Sequence, residues 1–168
     1  MRVRIAIAAA VAIAALAGMV TLVVRGRTHH EGSARLPFAS ASAASAPFGA
    51  FDEARVGLGS RCLRVLVAST PARRNEGLRE VRSLVPYDGM LFVFPADVSA
   101  HFTMAQTLVP LDITFFAASG APVDRAHMTP CPRGTDATCP VYSAKLRYRF
   151  ALERAAGAPG SGGLGSCA

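Results

Sequence analysis

D-G-M-L-F-V-F-P-A-D-V-S-A-H-F-T-M-A-Q-T-L-V-P-L-D-I-T-F-F, residues 88–116, decides how this chain is read. Within it, Met90–Phe94 is an unbroken run of five apolar residues between Gly89 and Pro95. A run that is apolar on both faces and punctuated by turn residues predicts a fully buried strand. A second strand, Leu111–Ala117, follows Pro110. It puts Leu111, Ile113 and Phe115 on one face and Asp112, Thr114 and Phe116 on the other. The segment between the two strands, His101–Thr107, is polar and aromatic, and neither strand explains it.

Working outward, Cys62–Ser69 alternates with Leu63, Val65 and Val67 on one face, which predicts a strand. Thr70 and Pro71 then read as an N-cap and a first helical residue, opening a short helix to about Arg79 that Gly77 weakens. Ser119-Gly120 turns the chain into a strand at Pro122–Met128. Lys145–Glu153 alternates most cleanly: Leu146, Tyr148, Phe150 and Leu152 face one way, Lys145, Arg147, Arg149 and Glu153 the other. That pattern predicts a strand with one dry and one wet side, as in an antiparallel sheet. The fold expected over residues 51–156 is mainly β (α+β minor), a compact antiparallel β-sandwich or partly closed barrel with one short helix.

The ends read differently. Ile5–Val24 is 20 residues without a charge, and as a helix it spans roughly 30 Å, the thickness of a bilayer core. Arg2 and Arg4 precede it. Residues 1–27 are therefore expected to be a signal anchor, a transmembrane helix holding the domain outside the cytoplasm, in the periplasm or extracellular space. The second reading is a cleaved signal peptide, with Ala15-Leu16-Ala17 as its small-residue site and a secreted product. In residues 28–50, 15 of 23 side chains are Ala, Ser, Gly or Pro, the composition of a flexible linker. Residues 157–168 are Gly-rich and expected to be a disordered tail. The formal charge of +7 is uneven: residues 1–50 carry five Arg against Glu31, a net of +4, and residues 51–156 carry 13 basic and 10 acidic side chains, a net of +3. The high pI thus reflects the flanks of the apolar run, and no clustered basic face speaks for nucleic acid.

Several segments, read in order, resemble one family. They are Thr70-Pro71 with Glu76-Gly77-Leu78, Gly89–Phe94, Phe102-x-Met104 with Thr107, Pro110–Ile113 with Phe115, and Pro130-Cys131 with Cys139-Pro140-x-Tyr142. Their order and spacing are similar to the domain-of-unknown-function 192 family over roughly Cys62 to Glu153. The resemblance implies a small β-rich domain, often exported or membrane-tethered in bacteria, and implies no reaction. Where the family shows F-W-M-K-N-T, this chain has Thr103, Ala105 and Gln106 in place of the Trp, Lys and Asn.

Two constellations can carry chemistry. Cys131 and Cys139, with seven residues between them, suit a disulfide that stabilises by roughly 2–3 kcal/mol. The alternative of zinc held by His101, His127, Cys131 and Cys139 has only an H-x-x-x-C pair in local support, so no metal is expected. Cys62 and Cys167 pair only if the tail folds back. The second constellation is a candidate ligand pocket: Asp112 with His101, Gln106 and Thr107 as polar groups, and Phe102 and Met104 as walls. No nucleophile elbow, second carboxylate or Gly-rich phosphate loop accompanies it, and no cofactor is expected. Three functions follow as expectations: a non-catalytic domain binding a small ligand or an envelope partner, an enzyme using Asp112 and His101 as an acid–base pair, or a structural docking module.

Overall fold

The structure, a computed structural model, describes residues 36–167. In chain order its elements are β1 (Ser42–Ala43), β2 (Asp52–Leu58), β3 (Arg61–Ala68), α1 (Pro71–Glu76), β4 (Gly89–Val98), β5 (His101–Thr103), β6 (Leu111–Phe116), β7 (Pro122–Met128), β8 (Val141–Ser143), β9 (Tyr148–Ala155) and β10 (Leu164–Gly165). The apolar run at residues 5–24 lies outside the described residues. Among the described residues no helix is long and apolar enough to cross a membrane.

One sheet runs in the order β1-β2-β3-β4-β9-β6-β7, with β10 added to β2, while β5 and β8 form a separate ribbon. Its outermost strands do not pair, so the sheet is not a closed barrel. The domain is mainly β with one short helix, but not wholly antiparallel. β3 and β4 are parallel, Val65 opposite Gly89 and Ala68 opposite Phe92. Parallel neighbours need a crossover, and α1 with the loop after it supplies one. α1 opens where the sequence predicts, with Thr70 Oγ1 accepting from the Arg73 N–H at 3.3 Å. It stops at Glu76, short of Arg79, because Gly77 takes a φ of 54° there.

Side chains alternate across a strand, so β4 supplies both faces of the sheet. Met90 and Phe92 enter a core with Ile113, Phe115, Ala151 and the post-helix residues Leu78 and Leu84. Leu91 and Val93 enter another with Val65, Val67, Phe116, Phe150 and Leu152. The doubly buried strand read from residues 90–94 is thus present. The alternation in β6 also holds, with Leu111, Ile113 and Phe115 all buried.

β9 corrects one expectation. It lies between β4 and β6 instead of facing water, so its polar-patterned face is covered as well. Ala151 and Glu153 are buried on that face, and Arg154 is buried on the other. Leu146 is exposed, and Tyr148 packs in the core opposite to that of Phe150. The cause is an irregular register between Val93 and Val98, where β4 pairs with the start of β9.

The ends of the domain are tied down more than their composition suggests. Within the expected linker, Ser42 and Ala43 pair with β2, and Ala44 and Phe48 are buried. Within the expected tail, Leu164 and Gly165 pair with β2 at Leu58 and Gly57, and Cys167 is disulfide-bonded to Cys62. Gly57 allows this close approach: a Cβ there would lie 2.7 Å from the Ser166 carbonyl oxygen.

Candidate functional site

Glu153 and Arg154 are consecutive on a central strand, so their side chains leave the sheet on opposite faces. Their exposures are 4% and 7%. A buried polar group without a partner costs stability, and proteins retain such groups chiefly at functional sites. Glu153 stands across from Met90 on β4 and Ile113 on β6, both apolar. Burial alone pushes its carboxyl up to about 8, and no hydrogen bond among the described residues offsets it. At neutral pH the group is therefore a carboxylic acid, able to donate one hydrogen bond and accept others.

This acid opens onto a cleft of about 420 Å³. Leu78, Phe92, Phe94 and Phe102 give the cleft apolar walls, and Thr107, Arg79 and Asp136 give it polar groups. Phe92 and Phe102 meet edge-to-face with ring centroids 5.0 Å apart, which holds both rings in place. The Arg74 guanidinium lies 5.0 Å over the Phe94 ring and donates to the carbonyls of Ser69 and Val93.

Three connecting segments are locked together at the rim. Arg79 donates from Nη2 to both Asp136 oxygens, at 2.8 and 3.0 Å, and from Nη1 to the Ala105 carbonyl at 3.2 Å. Hydrogen bonds from Thr103 and then Arg79 hold the Asp136 carboxyl below the usual carboxylate range. Glu80 and Gln106 both adopt left-handed backbone, with φ of 60° and 58°, and the Glu80 N–H donates to the Gln106 carbonyl at 2.8 Å. Non-glycine residues in that region carry strain, and two facing each other fix the join between the segments. The Gln106 N–H donates in turn to the Cys131 carbonyl at 3.0 Å. Cys131 and Cys139 are bonded, as their spacing suggested, and close the loop that carries Asp136.

The structure divides the residues singled out from sequence. His101, Phe102 and Thr107 line the cleft. Gln106 sits at its rim, its Oε1 within 3.4 Å of Arg79 Nη1. Met104 is not a wall; it is buried in the core. Asp112 faces the other side of the sheet, where its Oδ1 lies 2.8 Å from His127 Nδ1 and its Oδ2 accepts from the Gly157 N–H at 2.8 Å. The His101–Asp112 acid–base pair is therefore not assembled. His101 lies on the Asp136 side of the sheet, where it adds to the lowering of that carboxyl. The zinc alternative loses both of its thiolates to the disulfide. Sequence reasoning missed Glu153, Arg79 and Asp136. Glu153 was hidden by the alternation of β9, and the Arg79–Asp136 pair spans 57 residues with no local signal.

The family model DUF192, described as an uncharacterized ACR, matches residues 54–165. No curated protein matches the chain. A crystal structure of a protein of unknown function from Novosphingobium aromaticivorans is similar, with a TM-score of 0.60 and 20% identity over 75% of this chain and 92% of that one. A second, titled a putative transcription regulator from Sinorhizobium meliloti, has a TM-score of 0.57 and 24% identity over 75% of this chain and 96% of that one. At these identities the likeness is one of fold. The segments 76–78, 89–94 and 102–107, which carry much of the family resemblance, all border the Glu153 cleft.

Proposed function

The chain belongs to the DUF192 family, and from that premise we propose that it is a non-catalytic binding domain, held outside the cytoplasm by its N-terminal apolar segment, that receives a small molecule in the Glu153 cleft. One observation carries the reading: a carboxylic acid only 4% exposed, with no hydrogen-bond partner among the described residues, on the lining of an aromatic-walled cleft. Binding sites of this kind combine apolar walls with a few fixed polar groups. The ligand that fits has an apolar face to lie against Phe92, Phe94 and Phe102 and a hydrogen-bonding group for Glu153. The rim groups are engaged with each other: Asp136 is held by Arg79 and Thr103, and Arg74 by backbone carbonyls. None of them hydrogen-bonds Glu153 as a paired base would, which favours binding over turnover. The two disulfides support an oxidising location.

Native mass spectrometry of the full chain, purified from an oxidising compartment, tests this reading. The expected result is a small molecule that is lost on denaturation, present in the wild type and in Glu153→Gln, and absent from Glu153→Leu. A wild-type chain that is empty and takes up nothing from mixtures of polar and aromatic metabolites contradicts it. So does an adduct that Glu153→Leu retains.

A further inference from the structure

On the opposite face of the sheet a second cleft, of about 720 Å³, lies between β6, β7 and the returning tail. Its lining includes Asp112, Arg125, His127, Arg154, Gly160 and Ser161. Arg154 is more than nine-tenths buried there, and its Nε is buried without a hydrogen-bond partner. No carboxylate among the described residues forms an ion pair with it. Arg61, from the start of β3, does not line the cleft but reaches Gly160 at its edge. A Cβ added at Gly160 would lie 2.8 Å from Arg61 Cδ, and 3.6 Å from both Arg61 Nε and Arg154 Nη1. Two guanidinium groups therefore flank one glycine, and neither has an acidic partner in contact.

The local carboxylates hydrogen-bond to other groups and not to Arg154. Asp112 is held by Gly157 and His127, Asp124 accepts from the N–H groups of Arg125 and Lys145, and Asp88 accepts from the Arg64 N–H. Burial is the largest effect on Arg154 and lowers its pKa; Asp88 and Asp112 favour its charge from a distance, and Arg61 opposes it less than Asp88 favours it. A buried guanidinium whose Nε lacks an acceptor is a site that an anion can complete. Guanidinium donors in a fixed planar fork suit an oxyanion in particular.

We propose that this second cleft binds an oxyanion, the carboxylate or phosphate group of a small molecule, through Arg154 with Arg61 beside it. The tail segment 157–163 covers the site. It is fixed at both ends, by Gly157 to Asp112 and by the pairing of Leu164 with Leu58. The site is independent of the Glu153 cleft, because Glu153 and Arg154 emerge on opposite faces of β9.

Isothermal titration calorimetry of the full oxidised chain tests this, using sodium phosphate and sodium acetate against sodium chloride at matched ionic strength. Saturable binding of at least one oxyanion is expected, and chloride should give none. Binding should weaken at least tenfold in Arg154→Met, whose fold is checked by thermal melting. A response to phosphate alone assigns a phosphate ligand, and a response to acetate alone a carboxylate ligand; both support the site. Absence of saturable binding by either anion, or unchanged binding in Arg154→Met, overturns it. Arg61→Gln, an exposed position, serves if Arg154→Met fails to fold, and there unchanged binding is the contradicting result. Glu153→Leu should bind the oxyanion as the wild type does, so failure of one cleft does not mimic failure of the other.

Discussion

At neutral pH Glu153 keeps its proton because folding largely desolvates its carboxyl and no donor among the described residues offsets this. The sign of the linkage follows from where the folded value lies. The folded carboxyl titrates at about 8, against an ordinary value of 4.5. Between these two the unfolded chain has released the proton and the folded chain still holds it. Stability therefore falls as pH rises through that window, by roughly 3–5 kcal/mol in all. Carboxyl ¹³C NMR of the full chain, with Glu153→Gln to assign the signal, should show a titration midpoint near 8. A midpoint near 4.5 would mean that water or a donor reaches the group. Asp112 behaves in the opposite way: the Gly157 N–H first, and His127 next, hold it low. Its contribution is present above the ordinary carboxylate value and is lost only in acid. The sequence places Asp112 on a strand face and suggests His101 as its partner, but the neighbour is His127. That depends on the pairing of β6 with β7, which puts Asp112 opposite His127.

The loop from Cys131 to Cys139 shows how an element without regular structure builds a wall of the first cleft. It is closed by the disulfide, hung from Gln106, and presents Asp136 to Arg79 and Thr103. Gly134 lies inside its curve, where a Cβ would sit 2.2 Å from Cys139 Sγ and 2.3 Å from Cys131 Sγ. Gly134→Ala should therefore displace the loop and lower stability by about 1–3 kcal/mol. It should also raise the hydrogen-exchange rate of the Gln106 amide, and an unchanged rate there would show that the loop does not hold the rim. At this scale the sequence was read with mixed success for physical reasons. β7 was legible in full because turns bracket it, and β4 in part because its apolar run is continuous. β2 carries the weaker pattern D-E-A-R-V-G-L and was not assigned. β9 was found, but its wet face was misread, since alternation reports chemistry and not what packs above it. The same strand hides the acid of the first cleft and the guanidinium of the second.

Across the described residues the main sheet is buried on both faces at its central strands, and the chain beyond β9 returns to β2. Composition alone suggested disorder there, because glycine-rich segments bury little. What overrides it is a close backbone approach at Gly57, the buried Leu164, and a disulfide between Cys62 and Cys167 that spans 105 residues. A crosslink closing so long a loop stabilises by about 4–5 kcal/mol in the chain-entropy view. The Cys62→Ser/Cys167→Ser double variant should unfold at clearly lower denaturant concentration and lose amide protection at Leu164. Retained protection at Leu164 would show that strand pairing alone holds the tail. The two clefts share this sheet but not a face, so β9 is the one element whose substitution should reach both.

The most direct test of the central claim, that Glu153 is kept for a ligand and not for folding, is the stability of Glu153→Leu against wild type by chemical denaturation at pH 5 and pH 9. The variant is expected to be at least as stable at pH 5 and more stable by roughly 3–5 kcal/mol at pH 9, since an apolar side chain of similar size removes the desolvation cost. A variant less stable than wild type at both pH values would contradict the claim and make Glu153 a structural residue.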